Sequence, residues 1–315
     1  MHKLKLQQKR VTMDYTSPTA MYYLDLRRKS LAQGLSKARV IPYILFYLNQ
    51  ISTYRSIIPS VIDLGCGEGH MLNQIKTIYE KSQPSSPVRF IGVDYNKSLI
   101  KRAGKNYPEI ELLNLDIVND SLKILKNKFD IVMIVNTLHE VFSFHSWNGD
   151  FNEKNGKKKV IHTLKNITQI LKRNGKLVLF DGVEHPDKPN KKVIIKLLKK
   201  TSKDEFLRFV KEYQPIKIKP KWLSDSNVEI TTKEFTRFVT KLIFLNTPSW
   251  EMEKEEMYQY FTKKEFENVY SKLNLQIDAL NLLSPNLGLW NSKVKIISRG
   301  CSFPYEHIMI TGFKK

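Results

Sequence analysis

The chain has 315 residues, 41% hydrophobic and 11% aromatic, enough to fill one large or two modest cores and to exclude wholesale disorder. Its formal charge of +21 comes from lysines scattered among isoleucine and asparagine, as in KNGKKK, PNKKVIIKLLKK and YQPIKIKPKW. Such an excess fits solvated faces first and an anionic partner such as RNA second.

The first ten residues are polar and basic with no apolar stretch behind them, which speaks against a cleavable secretory signal. The longest apolar run, at 40–48, falls short of the roughly 20 residues of a membrane span. Cys66 and Cys301 are too few for a disulfide framework and lack zinc-type spacing. The expectation is a cytoplasmic protein with reduced thiols, no membrane span and no metal.

In chain order, Ser17 followed by Pro18 predicts the N-cap and first turn of a helix running toward Leu35. Apolar periodicity continues over 41–50, giving an N-terminal helical cap over 1–55. Short β-branched runs then alternate with helical stretches. SVIDLG, VRFIGVD, IELLNLD, FDIVMIVN and GKLVLFDGV read as strands buried on both faces, with MLNQIKTIYEK, KSLIKRAGKNY and KKKVIHTLKNITQILKRNG as helices among them. This βαβ series predicts an α/β fold with a doubly wound sheet, its core over 56–190. HPDKPN at 185–190 punctuates the chain. The lysine- and aromatic-rich stretch 191–260 is mostly helical in pattern and reads as an insertion. Over 261–315, TKKEFENVYSKLNL, QIDALNLL and EHIMITGFK resume the rhythm of the sheet.

VIDLGCGEGHM at 61–71 follows the first strand, so its loop sits at the carboxyl end of the sheet, where doubly wound proteins bind ligands. Gly65, Gly67 and Gly69 permit tight turning and close approach of backbone to ligand. With Asp63 before the turn, Glu68 inside it and no lysine, the loop is ill-suited to a diphosphate. Asp94 and Asp116 come at the ends of the second and third strands. A carboxylate at Asp94 can accept hydrogen bonds from a ribose diol, and Asp116 with the Ile117 backbone can meet an adenine edge. An adenosine whose tail carries a cation and no phosphate fits this set.

DLGCGEG, GVDYN, NLDI, FDIVMIVNTLHEV and LKRNGKLVLFD, in this order and spacing, resemble the successive motifs of class I S-adenosylmethionine-dependent methyltransferases. The resemblance is close over 60–181 and looser over 266–313. It implies a Rossmann-like, mainly parallel seven-stranded sheet and S-adenosyl-L-methionine as cofactor. Asp63, Gly65, Cys66, Gly67 and Gly69 would then wrap the methionine portion, Asp94 would take the ribose, Tyr95 would pack on the adenine, Asp116 and Ile117 would meet its edge, and Asn136 would lie beside the sulfonium. Simpler roles stay open: Asp63 as a turn cap, Asp116 as a strand-end cap, Tyr95 as plain packing.

For the methyl acceptor, NTLHEVFSFHSW after the fourth strand supplies His139 and Glu140 as candidate catalytic groups, with His145 and Trp147 a turn or two beyond. His139 as a packed helix-start residue and Glu140 as a helix N-terminal charge are the competing readings. NTLH lacks the Pro-Pro-aromatic run of nucleic-acid amino methyltransferases, and no cysteine stands nearby for a pyrimidine C5 mechanism. By the same resemblance, the helices before the first strand and the insertion, as a lid, would close over the acceptor, with Tyr22 and Tyr23 from the former and Phe206, Phe209, Tyr213, Trp222, Phe235, Phe238, Phe244 and Trp250 from the latter as pocket wall or lid core. The expected activity is O-, N- or C-methylation of a small or medium organic acceptor, anionic or aromatic. RNA is the second acceptor class, and a catalytically silent binding protein the third reading.

Overall fold

The computed structural model describes residues 21–22, 24–25, 28–29, 36–54, 58–283 and 287–315. The expected helix start at Ser17 and Pro18 lies outside the described residues, as does Tyr23. A 3-10 turn at Ser36–Val40 leads into α1 (Ile41–Tyr54). Then come β1 (Ser60–Leu64), α2 (His70–Ser82), β2 (Arg89–Asp94), α3 (Lys97–Asn106), β3 (Glu111–Asn114), β4 (Phe129–Val135), α4 (Leu138–Ser146), α5 (Glu153–Ile170) and β5 (Leu171–Gly182). The insertion holds β6 (Lys192–Leu197), α6 (Lys200–Glu212), β7 (Lys221–Trp222), β8 (Asn227–Thr231) and α7 (Thr232–Lys241). The chain closes with α8 (Lys263–Lys272), β9 (Leu275–Leu283), α9 (Leu287–Lys293), β10 (Val294–Ile296) and β11 (His307–Lys314).

Seven strands form one sheet in the order β9-β11-β5-β4-β1-β2-β3. Strands β1 to β5 pair in parallel, and β11 alone runs the other way, between β5 and β9. Every residue of β1 and β4 is buried, Ser60, Asp63 and Asp130 included, as in largely apolar strands covered on both faces. Their side chains divide between two cores. Ile62, Leu64, Val132 and Ile134 cluster with Val160, Leu164 and Ile167 of α5. Val61, Ile131 and Met133 cluster with Ile41, Ile44 and Leu48 of α1 and with Leu72, Ile75 and Tyr79 of α2. The helix α1 is thus part of the sandwich, and Leu24, Arg28 and Lys37 before it line a cleft at the sheet's carboxyl end. The chain order reverses between β1 and β4, which opens a crevice at their carboxyl ends.

The insertion contains the expected helices and also a sheet that its sequence pattern did not announce. Strands β10, β6, β8 and β7 pair antiparallel in that order. KVIIKL in β6 alternates exposed and buried positions, the period of a half-covered strand. Its inner side chains Val193, Ile195 and Leu197 join Phe206, Phe209, Phe235, Phe238 and Trp250 in a third core. Those five aromatics are 0% exposed, so they are the insertion's own interior and not a pocket wall. The edge strand β10 comes from beyond β9, so the last segment of the chain serves both units. Capping boxes at Thr231 with Glu234 and at Thr262 with Glu265 fix the starts of α7 and α8. No helix among the described residues is long and apolar enough to cross a membrane.

Candidate active site

The glycine loop turns back on β2. Gly65 N and Cys66 N both donate to Val93 O, at 2.8 and 3.0 Å. Gly65 has φ +82, and a Cβ there would lie 2.4 Å from Thr137 Oγ1, so the end of β4 presses on the loop and only glycine fits. Gly67 differs: φ is +57, but nothing stands within 4 Å of the position a Cβ would take. Its N–H donates to Asp94 Oδ2 at 2.9 Å, while Asp94 Oδ1 accepts from Asn96 N at 2.8 Å. Asp94, 7% exposed, therefore holds the loop and the start of α3 in one register. Gly69, φ +76, precedes α2, and its N–H donates to Cys66 O.

The cleft beside this loop is lined by Asp63, Gly65, Cys66 and Gly67, with Leu24, Arg28 and Lys37 from the segment before α1. Burial pushes the Cys66 thiol well up, and the Asp63 and Asp94 carboxylates add to it, so Cys66 is a neutral thiol and no nucleophile. Glu68 has a structural task. Its carboxylate pairs with His70 Nε2 at 3.2 Å and with Arg102 Nε at 3.3 Å, and His70 Nδ1 meets Tyr107 OH at 2.5 Å. The His70 hydrogen bond holds Glu68 below the usual carboxylate range against the opposing effect of burial, with help from Arg102.

The residues expected at the adenine are arranged less uniformly. Tyr95 is 50% exposed next to Asp94. Asp116 lies two residues beyond β3 and caps a turn, with Oδ1 accepting from Val118 N at 2.9 Å and Oδ2 from Asn119 Nδ2 at 2.7 Å. Ile117 is buried beside it. Asn136 follows β4 with φ +50, its N–H donating to Phe180 O at 2.8 Å, and its buried Oδ1 has no hydrogen-bond partner among the described residues. An unpartnered buried acceptor is costly unless a ligand satisfies it. Val135, the neighbour of Asn136, lines the cleft with Asp63, whose carboxylate suits a cationic tail, and the open space at Gly67 leaves room for ligand against backbone. These residues fit S-adenosylmethionine.

A second constellation stands past Thr137. His139 opens α4, 5% exposed, with Nδ1 2.6 Å from Asp181 Oδ1 and its own N–H donating to Asp181 Oδ2 at 3.1 Å. Gly182 N and Tyr260 OH donate to the same carboxylate. A carboxylate on Nδ1 fixes that nitrogen as the donor, which leaves Nε2 as the basic nitrogen, and Nε2 has no hydrogen-bond partner among the described residues. Burial pulls the imidazole pKa down, but the charge of Asp181 and its hydrogen bond outweigh it, and the pKa lies above the ordinary histidine value. His145 goes the other way: burial, with Lys159 nearby, pulls it down to about 4. Glu140 is half-buried in the first turn of α4, its N–H on Thr137 O.

The chain leaving the insertion crosses directly over these groups. A Cβ on Gly182 would lie 2.4 Å from Tyr258 O, so the returning strand rests on the end of β5. The Tyr258 ring meets the His139 ring edge-on at 4.6 Å. Its hydroxyl bonds Glu253, which pairs with Lys241 at 2.6 Å, and Lys241 Nζ stands 3.5 Å from the centre of the Tyr258 ring. Beside them Arg237 clamps Glu184 with two hydrogen bonds of 2.6 and 2.5 Å. Sequence reasoning assigned no role to Asp181, although a carboxylate ending the fifth strand, in LVLFD, is the same signal that marked Asp94. Tyr258, Tyr260, Arg28 and Lys37 carried no such mark.

A family described as a methyltransferase domain matches residues 59–265. A putative methyltransferase, 235L, of Invertebrate iridescent virus 6 is 34% identical over 74 residues, 24% of this chain and 24% of that protein. The match therefore spans about a quarter of that relative's length. Among solved structures, an S-adenosylmethionine-dependent methyltransferase from Mesorhizobium loti aligns with a TM-score of 0.45 at 12% identity, over 84% of this chain and 96% of that one. Another, from Archaeoglobus fulgidus, aligns with a TM-score of 0.43 at 14% identity, over 93% and 99%. With a family match over most of the chain and the expected mainly parallel seven-stranded sheet, this protein belongs to the methyltransferase-domain family and has the class I fold, whose cofactor is S-adenosylmethionine.

Proposed function

We propose that the protein transfers a methyl group to a small or medium organic acceptor, with His139 as general base and Asp181 as the group that orients it. The observation that carries this reading is the 2.6 Å His139–Asp181 pair at the end of β5, which leaves Nε2 unbonded in an imidazole of raised basicity. Bound in the cleft, S-adenosylmethionine supplies a methyl group on a sulfonium sulfur, which keeps the electron pair of the broken bond. Asp63 and Asn136 would hold the cationic tail, and Arg28 with Lys37 would face its carboxylate from the opposite wall. Asp94 would accept from the ribose hydroxyls. His139 Nε2 takes the proton from the acceptor's O–H, N–H or C–H as that atom attacks the methyl carbon. Tyr258 and Tyr260 cover the pair and exclude water from it.

The test is to incubate the protein with metabolite extracts and cofactor labelled in the methyl group, and to identify the labelled product. With that acceptor, His139→Ala should lower turnover about a hundredfold or more, since proton removal commonly contributes roughly 10²- to 10⁴-fold, while cofactor affinity stays near wild type. Unchanged turnover in His139→Ala would remove the base assignment. A labelled RNA in place of a small molecule would change the acceptor class.

A further inference from the structure

The four-stranded sheet of the insertion has one packed face and one bare face. Strand β6 sends Val193, Ile195 and Leu197 inward and leaves Lys192 and Lys196 exposed on the other side. Strand β10 buries Val294 and exposes Lys295, and β7 exposes Lys221. The register brings these together: Lys295 stands directly opposite Lys196, and Lys221 directly opposite Glu229. Opposed residues in an antiparallel pair have Cβ atoms about 5 Å apart, and like charges in that position repel. None of Lys192, Lys196, Lys221 and Lys295 makes an ion pair among the described residues, and Lys199 and Lys200 extend the exposed run. Lys221 facing Glu229 is the opposite-charge arrangement of an ordinary solvated face, whereas Lys295 on the edge strand β10 faces Lys196, a like-charge pair that the packed side does not require.

We infer that this bare face, centred on Lys196 and Lys295, is a docking surface for RNA, contacted through the phosphodiester backbone. Charge complementarity carries the choice of partner: unpaired ammonium groups are spread over three adjacent or near-adjacent strands, on a chain whose total charge of +21 attracts any polyanion. Trp222, the aromatic of β7, is 38% exposed, but it lies opposite buried Val228 and packs edge-on to Phe206, on the packed side of the sheet. No aromatic in these strands is therefore turned to the bare face to stack on bases, and the contact is with phosphate and indifferent to sequence. None of the residues lining the cofactor cleft belongs to this sheet, so the surface is separate from that site and does not rest on the methyl-transfer reading.

Fluorescence anisotropy with a labelled 20-nucleotide single-stranded RNA at 50 and 200 mM salt tests it. The wild type should bind, with affinity falling steeply as salt rises. Lys196→Glu with Lys295→Glu should weaken binding about tenfold or more at 50 mM and reduce the logarithmic salt slope by about 1.4, the share of two contacts to single-stranded nucleic acid. Lys158→Glu with Lys165→Glu, an equal charge change on exposed positions of α5, should weaken it far less. Calorimetry with S-adenosylmethionine on each variant checks that the fold is intact. No RNA binding at 50 mM, equal loss in both double variants, or binding to phosphatidylserine vesicles that the Lys196 and Lys295 pair governs while RNA binding is untouched would each overturn the assignment.

Discussion

His139 and Asp181 set opposite demands on pH for stability and for activity. A histidine whose folded pKa is raised contributes stability below its unfolded pKa, about 6.5, and that contribution is lost as pH rises through the folded value. Proton abstraction needs the neutral ring, so the rate should rise over that same interval above about 6.5, and a pH–rate profile with His139→Ala as control reads it directly. Gly65→Ala gives a different signature. The left-handed φ costs about 1–2 kcal/mol, the added Cβ collides with Thr137, and the expected result is a lower melting temperature together with weaker cofactor binding. The places of Gly65 in the loop after β1 and of Asp94 at the end of β2 were legible in the sequence because loop glycines and strand-end carboxylates at the sheet's carboxyl edge are constrained by the fold itself, whereas Asn136 was marked only by the family resemblance. Asp116 was legible as a strand-end carboxylate, but its two side-chain hydrogen bonds to Val118 and Asn119 follow from turn geometry that spacing does not encode. The partner of His139 was not legible, because a contact across 42 residues depends on how β4 and β5 align.

At the scale of elements, the insertion is tied to the site through Tyr258. Tyr258→Phe keeps the ring against His139 and removes the hydroxyl from buried Glu253, whose carboxyl burial already pushes up. Loss of that donor should cost about 1–3 kcal/mol in thermal or urea unfolding, with S-adenosylmethionine affinity unchanged. A variant as stable as wild type would show that Lys241 alone satisfies Glu253. The all-buried strands β1 and β4 could be read from their largely apolar runs, and α3 and α5 from apolar residues at three- and four-residue spacing. Strand β10 could not. Three residues, VKI, become a strand only because β6 offers them an edge, and no local pattern in so short a stretch announces a partner nearly a hundred residues away.

Over the whole molecule, two cores sandwich the seven-stranded sheet and a third fills the insertion, with buried ion pairs where the units meet. Glu184 is desolvated, yet Arg237 beside it holds its carboxyl below the ordinary value, so its contribution is present above about pH 4.3 and lost as pH falls. Together with the His139–Asp181 pair, this sets a stability maximum between about pH 4.3 and 6.5 for these two groups, which melting temperatures across pH should show. The proposed methyl transfer requires that the cleft at Asp63 and Gly67, with Asp94 behind the loop, holds S-adenosylmethionine. Isothermal titration of that ligand into wild type, Gly67→Val and Asp94→Ala tests it most directly. The expected result is saturable binding to wild type and at least about a thirtyfold loss in both variants, since each gives up about 2 kcal/mol or more through ligand-space bulk or a lost buried acceptor. Equal affinity in all three proteins, or no binding to wild type, would contradict it.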